Sequence, residues 1–227
     1  MSHQTNITRI KAVSNALGQI KDQVVFVGGA TVSLYTDRPP AGEARATDDI
    51  DIVVEIASRW QFAELEEKLR KIGFKNDTTA KFVGRYLLQG VIVDVMPIDH
   101  SILGFSNKWY KEGFETAINY QIDELHEVKI FSPPYFIASK LEAFKDRGNN
   151  DGRTSTDFED IVYVLENRLA IWKEMKESKN NLREYLLEEF TILSCNRYIE
   201  EWIGTHSSFT SPPSVYYIME DMKKFLS

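Results

Sequence analysis

The stretch Val24-Val25-Phe26-Val27-Gly28-Gly29-Ala30 decides how the rest of the chain is read. Its four apolar residues predict a short strand, and the two glycines after it allow a sharp turn into a helix. Because glycine has no Cβ, such a turn also lets backbone amides approach a bulky anion. The pattern therefore predicts either a phosphate-binding turn at Gly28, Gly29 and Ala30 or a plain strand-to-helix turn.

A second strand, rich in isoleucine and valine, is predicted over Thr47-Asp48-Asp49-Ile50-Asp51-Ile52-Val53-Val54. Alternation along a strand places Asp49 and Asp51 on one face and the isoleucines on the other. Two carboxylates on one face repel each other unless a cation lies between them, and oxygen ligands are those that Mg²⁺ prefers. The alternative is a solvated strand edge.

A third strand, Val91-Ile92-Val93-Asp94-Val95-Met96-Pro97, carries a single carboxylate in an apolar run. An ionised Asp94 in such a setting is costly unless a partner compensates its charge. A metal shared with Asp49 and Asp51 is one such partner, and backbone amides or an arginine are the alternatives. Residues 81–88 and 91–98 predict an antiparallel pair around Gln89-Gly90, which would bring Asp94 beside the Asp49 strand.

This order of elements resembles the nucleotidyltransferase superfamily that includes polymerase β. Within it, Arg45-Ala46-Thr47-Asp48-Asp49-Ile50-Asp51 is similar to the Arg-x-Ser/Thr-x-Asp-hydrophobic-Asp signature of the abortive-infection (AbiEii/AbiGii-type) nucleotidyltransferases. The resemblance implies an α+β fold in which a mixed sheet is flanked by helices and followed by a helical C-terminal region. We expect a nucleotidyltransferase core at residues 1–131 and a helical domain at residues 132–227.

The resemblance extends to two downstream segments. Residues 133–144 with Arg147, and Asp157-Phe158-Glu159-Asp160-Ile161, look like the family's Lys-x-x-Ala-x-x-x-Arg and Lys-Asp-x-x-Asp-Ile motifs. The chain departs from the second motif, because Thr156 stands where the family often has Lys or Arg. Lys140 and Arg147 lie two helical turns apart on one face, where they either reach a triphosphate or form a surface charge. Asp157 and Asp160 orient these two cations, contact the nucleotide, or serve only the helix dipole.

Three further polar residues lie near the glycine turn and the acidic strand. Thr31 and Ser33 fall in the first turns of a predicted helix, where hydroxyls and free amides bind phosphate oxygens or cap the helix. Arg45 precedes the acidic strand, and we expect it to neutralise phosphate or to pair with Asp48.

The composition excludes several functional classes. The 227 residues, 43% of them hydrophobic, suffice for a sizeable core. A net charge of −7 argues against broad, non-specific nucleic-acid binding. No apolar run approaches the roughly 20 residues that span a bilayer, and the polar start is not typical of a signal peptide, so we expect a cytoplasmic protein without membrane contact. The single cysteine, Cys195, excludes an internal disulfide and is predicted to be a small core residue.

Hydrophobic periodicity predicts the remaining elements. Helices are expected at residues 5–20, 30–35, 57–72, 134–147, 155–167, 170–198 and 215–226, and a last strand pair at residues 119–122 and 128–131. Residues 101–116, with the aromatic residues Phe105 and Trp109, are expected to be irregular and to close a core or stack on a base. The polar segment of residues 148–154 is expected to be a helix connection or a mobile lid. His100 follows the third strand as a surface residue or a base.

The resulting hypothesis is a nucleotidyltransferase that depends on Mg²⁺ or Mn²⁺ and uses an NTP as substrate. Asp49 and Asp51 would bind the metal that carries the triphosphate. Asp94 would complete a second metal position and accept the proton of the acceptor hydroxyl, while Lys140 adds positive charge. The resemblance implies a toxin-like enzyme with tRNA or protein as acceptor and an antitoxin as partner. The alternatives are an aminoglycoside-type antibiotic nucleotidyltransferase and a non-catalytic binding module.

Overall fold

The computed structural model describes residues 2–56, 58–104, 106–209 and 214–227. The chain divides into two compact units, Met1–Thr31 with Arg45–Ser132 and Val32–Ala44 with Pro133–Ser227. Within the described ranges, no helix combines the length and apolar character needed to cross a bilayer. The predicted division into domains 1–131 and 132–227 concerns independent folding and stays a prediction.

The first unit is built on a mixed sheet, to which the described residues contribute seven strands. They are β1 (Val24–Val27), β2 (Asp49–Val54), β3 (Lys75–Asn76), β4 (Arg85–Leu88), β5 (Val91–Pro97), β6 (Ile118–Asp123) and β7 (His126–Ile130). Their spatial order is β3-β4-β5-β2-β1-β7-β6. The β2–β5 and β1–β7 pairs are parallel, and the other four pairs are antiparallel.

The predicted alternation along β2 is confirmed. Ile50 and Ile52 are fully buried, whereas Asp49 and Asp51 are only half-buried. The predicted neighbourhood of β5 and β2 is confirmed as well, because the two strands pair in parallel over six residues of each. Strand β2 therefore buries its isoleucine face in the core and carries Asp49 and Asp51 on the opposite face.

Four α-helices of the described residues belong to the first unit. They are α1 (Ser2–Leu17), which continues as a 3-10 helix (Gly18–Gln23), α2 (Arg59–Lys71), α3 (His100–Leu103) and α4 (Tyr110–Glu115). Helix α1 buries Ile10, Val13 and Leu17 and packs on β2 and β7. Helix α2 begins where the Ser58 hydroxyl accepts a hydrogen bond from the Gln61 amide at 3.2 Å, a typical N-cap.

The second unit is helical in its described part. It contains α5 (Pro133–Arg147), α6 (Thr156–Asn167), α7 (Ile171–Lys176), α8 (Asn180–Ser194), α9 (Ile199–His206) and α10 (Ser214–Leu226). Helix α5 buries its first nine residues, 133–141, and packs against α6, α7 and α8, as expected for a central helix. The segment Val32–Ala44 joins this unit through Asp37, whose carboxylate accepts hydrogen bonds from the amides of Leu169 and Ala170.

Several element predictions are wrong in detail. The single helix predicted over residues 170–198 is two helices, α7 and α8, because Lys179 has an extended ψ of 149°. The chain leaves α8 at Cys195, and the Asn196 side chain then accepts a hydrogen bond from the Tyr198 amide at 2.9 Å. The helix predicted over residues 30–35 is a 3-10 helix, Gly29–Tyr35.

Two further corrections concern residues 101–116 and Cys195. The predicted irregular segment contains α4 and most of α3, since the Asp99 carboxylate caps α3 at the Ser101 amide. Phe105 lies outside the described residues. Cys195 is exposed rather than buried, because it follows the last turn of α8 at the protein surface.

Candidate active site

Three carboxylates meet on adjacent strands of the first unit. The parallel register of β2 and β5 sets Asp51 directly beside Asp94, and Asp49 follows on the same face of β2. One oxygen of each carboxylate lies within 4.8 Å of the others. Asp94 is only 8% exposed, while the other two are half-buried. This all-oxygen donor set has the chemistry that suits a hard divalent cation such as Mg²⁺ or Mn²⁺.

The glycine turn after β1 has a steric function beside the acidic strand. Gly28 has a φ of +73°, in the left-handed region, and a Cβ built there would overlap the Asp51 carboxylate. A Cβ at Gly29 would overlap the Arg45 guanidinium and approach the Thr47 methyl group within 2.9 Å. The two glycines therefore make room for the side chains of the acidic segment, and phosphate binding by this turn stays a prediction.

The residues after the glycine pair are packed tightly. Ala30 is buried, and both the amide and the hydroxyl of Thr31 donate hydrogen bonds to the Gly28 carbonyl, at 3.2 and 2.9 Å. Thr31 thus stabilises the turn, in line with the capping alternative. Ser33, in the second unit, is buried, and its hydroxyl has no hydrogen-bond partner among the described residues. A buried hydroxyl without a hydrogen-bond partner destabilises the folded protein unless a ligand or a water molecule binds it.

Helix α1 fixes the residues that lead into the acidic strand β2, a contribution that was not predicted from the sequence. The fully buried Asn6 donates a hydrogen bond to the Arg45 carbonyl at 3.0 Å and accepts one from the Thr47 amide at 3.3 Å. Arg9 donates to the Thr47 carbonyl, and the Thr47 hydroxyl lies 3.1 Å from the Asp49 carbonyl. No spacing in the sequence signals these contacts, because they join residues about forty positions apart.

Arg85 is a further site residue that was not predicted from the sequence. It lies opposite Asp94 across the β4–β5 pair, and its Nε and Nη2 donate to Asp94 Oδ1 and Oδ2, both at 2.7 Å. Its Nη2 is also 3.4 Å from Asp49 Oδ2. The hydrogen bonds from Arg85 to Asp94 raise the pKa of the guanidinium further above its usual range.

An arginine was one of the partners that the sequence left open for Asp94, and in the structure Arg85 is that partner. A usable signal was present in the predicted hairpin around Gln89-Gly90. Both turn residues have positive φ, as a two-residue hairpin turn requires, and Leu88 pairs with Val91. Counting three residues back along one strand and three forward along the other brings Arg85 opposite Asp94.

A second charged cluster lies within the helical unit. Lys140 is 4% exposed, and its Nζ lies 3.0 Å from Asp157 Oδ1 and 2.6 Å from Asp160 Oδ2. Arg147 donates through Nε and Nη2 to the same Asp157 carboxylate, at 2.7 and 2.9 Å. The predicted alternative in which the two aspartates orient the two cations describes this geometry. The surface-charge alternative is wrong for Lys140, and its contact with a triphosphate stays a prediction.

Burial and pairing act in opposite directions on this cluster. Burial alone would lower the pKa of Lys140, but the charges of Asp160 and Asp157 outweigh it and raise that pKa above the usual value. Burial alone would raise the pKa of Asp157, but hydrogen bonds and charges from Arg147 and Lys140 lower it to about 2. Lys140 and Asp157 are therefore both charged at neutral pH.

The comparison with known protein families identifies the chain. The family model of the nucleotidyl transferase AbiEii toxin, of type IV toxin–antitoxin systems, matches residues 12–191, which is most of the chain. The chain belongs to this AbiEii family. It is therefore a nucleotidyltransferase of a toxin family, and the resemblance read from Arg45 to Asp51 is confirmed. No curated protein matches the AbiEii-family chain.

Two solved structures share the fold of this AbiEii-family chain. One is an antigenic nucleotidyltransferase-like protein from Paracoccidioides brasiliensis, 17% identical over 93% of this chain and 97% of that chain, with a TM-score of 0.53. The other is the antibiotic-resistance factor ANT(2'')-Ia, 16% identical over 85% of this chain and 96% of that chain, with a TM-score of 0.52. The predicted fold class, a mixed sheet flanked by helices and followed by a helical region, is confirmed.

Proposed function

We propose that this AbiEii-family enzyme transfers an NMP from an NTP to an acceptor hydroxyl, and that Asp49, Asp51 and Asp94 hold Mg²⁺ or Mn²⁺ for that reaction. The observation that carries the proposal is the meeting of the three carboxylates within 4.8 Å on neighbouring strands. Three negative charges at this spacing repel one another, and the guanidinium of Arg85 offsets part of that charge. A divalent cation would compensate the remainder.

The chemistry assigns a separate task to Asp94. The acceptor oxygen attacks the α-phosphorus, the bond from that phosphorus to the α–β bridging oxygen breaks, and pyrophosphate leaves. Asp94 accepts the proton that the hydroxyl loses, as a general base. When bound, divalent cations would stabilise the attacking and leaving oxygens of this in-line displacement. Asp49 and Asp51 would hold a cation that binds the triphosphate.

The residues around the glycine turn are proposed to bind the β- and γ-phosphates. Gly28, Gly29 and Ala30 supply backbone amides, and the hydroxyl of Ser33 supplies a further hydrogen bond. The Thr31 hydroxyl donates to the Gly28 carbonyl and so keeps the turn in shape. The unsatisfied hydroxyl of Ser33 supports this role, since a phosphate oxygen would satisfy it. Arg45 adds a positive charge next to Gly29.

Arg147 of the second unit is proposed to bind phosphate of the nucleotide, supported by Lys140, Asp157 and Asp160. The Arg147 side chain is 65% exposed, and two of its N–H groups are fixed by the buried Asp157. A guanidinium oriented in this way is suited to bind phosphate. Lys140 is buried against both aspartates, so we propose that it orders Asp157 and Asp160.

For the acceptor, we propose RNA, with the tRNA 3′ end as the first candidate and protein as the second, and we propose an antitoxin as the partner of the enzyme. Membership in a toxin family of type IV systems supports both proposals. The net charge of −7 favours an RNA that is gripped locally over broad contact with a nucleic-acid backbone. An aminoglycoside is the alternative acceptor, because an acidic cleft suits a cation and ANT(2'')-Ia shares the fold.

The test supplies purified enzyme with Mg²⁺ and each labelled NTP in turn, together with total RNA, cell protein or an aminoglycoside. Asp49→Asn removes one carboxylate of the cluster, and Asp48→Asn is its matched control, since Asp48 is the exposed neighbour at the same strand end. We expect label on RNA with the wild type and with Asp48→Asn, and none with Asp49→Asn. Equal labelling by both variants would remove the metal site from the proposal, and label on protein or antibiotic would reassign the acceptor.

A further inference from the structure

If the proposed metal site is correct, Asp94 binds two partners, Arg85 and a divalent cation. In the structure its two oxygens accept the two parallel hydrogen bonds of Arg85, both at 2.7 Å. The proposed function also requires Asp94 to complete a second cation position. The carboxylate has further lone pairs, but a cation bound there would lie close to the guanidinium, and the two positive charges would repel each other.

The contacts of Arg85 with the other two carboxylates are unequal. Its Nη2 lies 3.4 Å from Asp49 Oδ2, against 2.7 Å for each bond to Asp94. Arg85 therefore contacts Asp94 more closely than it contacts Asp49. The Arg85 side chain is 29% exposed, so its guanidinium has a path into solvent along a flexible stem.

We propose that Arg85 weakens the second cation position, the one that uses Asp94. It holds Asp94 in a two-pronged hydrogen bond that opens before Asp94 binds a divalent cation, so this position fills only at a higher cation concentration than it would without Arg85. This inference rests on the proposed metal site and adds the residue that controls its occupancy. It assigns to Arg85 a positioning role on Asp94.

The test is a titration of the metal-free, full-length enzyme with Mn²⁺ in the absence of nucleotide, with free Mn²⁺ read by electron paramagnetic resonance. We expect the wild type to bind its second Mn²⁺ weakly. Arg85→Gln removes the positive charge that contacts Asp94 and is expected to tighten that second step by about tenfold or more. Combining Arg85→Gln with Asp94→Asn is expected to abolish the tightened step.

The matched control is Arg70→Gln. Arg70 belongs to the same unit but pairs with Glu66 and Asn76, so its replacement changes the net charge equally without touching the acidic cluster. We expect its Mn²⁺ isotherm to match that of the wild type. Circular dichroism verifies that each variant is folded. If Arg85→Gln does not fold, Arg85→Lys replaces it, because lysine lacks the two-pronged fork and is expected to tighten the second step by a smaller factor.

The outcomes separate this inference from the proposed function. If Asp49→Asn abolishes Mn²⁺ binding while Arg85→Gln and Arg85→Lys bind as the wild type does, the metal site stands and the role of Arg85 is refuted. A tightened step that survives Asp94→Asn also refutes it, because the cation would then not be bound by Asp94. If no Mn²⁺ binding depends on Asp49, both the metal site and this inference fail.

Discussion

Gly28 lies so close to the Asp51 carboxylate that a Cβ at residue 28 would overlap Asp51 Oδ2. The antiparallel register of β1 and β2, which pairs Val27 with Asp51, brings the two residues together. The glycine is therefore required by an acidic side chain of the neighbouring strand, whether or not the turn binds phosphate.

Gly28→Ala is expected to abolish nucleotidyl transfer and to weaken Mn²⁺ binding, because the new methyl group displaces Asp51. Gly104→Ala is the matched control: its φ of +75° is nearly the same as the +73° of Gly28, and no atom of the described residues lies within 4 Å of its added Cβ. Both variants lose about 1–2 kcal/mol to backbone strain, as chemical denaturation would measure. Equal activity of the two variants would contradict the steric role of Gly28.

Asn6→Ala is expected to lower the free energy of unfolding by about 1–3 kcal/mol. The substitution removes the hydrogen bonds that the Asn6 side chain makes with the Arg45 carbonyl and the Thr47 amide. Activity should fall as well, since Thr47 leads into the acidic strand. Asn15→Ala, at an exposed position of the same helix, is expected to change stability by less than about 0.5 kcal/mol. Urea denaturation measures both variants. Similar losses of stability in the two would argue against a stabilising role of the Asn6 hydrogen bonds.

Lys140→Met is expected to destabilise the protein by about 3–5 kcal/mol, because it leaves two carboxylates buried without their ammonium partner. Lys173→Met provides the comparison on an exposed lysine of the same unit and should have little effect. The measurement is again urea denaturation. A Lys140→Met protein as stable as the wild type but inactive would instead assign Lys140 a direct catalytic function.

Stability is expected to depend on pH through Asp157. Its pKa falls from 3.8 in the unfolded chain to about 2 in the folded protein, where the stabilising hydrogen bond from Arg147 and the charge of Lys140 outweigh burial. A depressed pKa contributes stability that is complete above about pH 4 and is lost as the pH falls toward 2, in total about 2 kcal/mol. Unfolding free energies between pH 6 and 2 should therefore fall more steeply for the wild type than for Asp157→Asn. Parallel curves would show that Asp157 is not the group responsible.

Arg147→Gln is expected to raise the KM for the NTP by about tenfold, the effect of losing one charge-assisted contact with phosphate, and to leave kcat less affected. Arg153→Gln is the control, because Arg153 is an exposed arginine of the same unit whose guanidinium pairs with Asp151. Steady-state kinetics with varied NTP measure both. An unchanged KM in Arg147→Gln would limit Arg147 to its ion pair with Asp157.

The acidic cluster was predictable because its signals are local. Alternation along β2 fixes which face Asp49 and Asp51 share, and an aspartate within the apolar run of β5 requires a partner. The partner Arg85 was also within reach of the sequence, since the hairpin around Gln89-Gly90 fixes its register with Asp94. What the hairpin could not give was the distance of the guanidinium from Asp49, which depends on how β2 and β5 pair.

The sequence by itself determined the family, the fold class and the three aspartates. Alternation of apolar and polar residues along the strands and motifs of fixed spacing indicate all three. Only the tertiary structure decided that Asn6 holds Thr47, that Asp51 requires Gly28, and that Lys140 is enclosed by Asp157 and Asp160. These contacts join separate elements, and which side chains meet there follows from strand register and helix packing. Such packing is set by the whole buried core, so no local pattern of the chain encodes it.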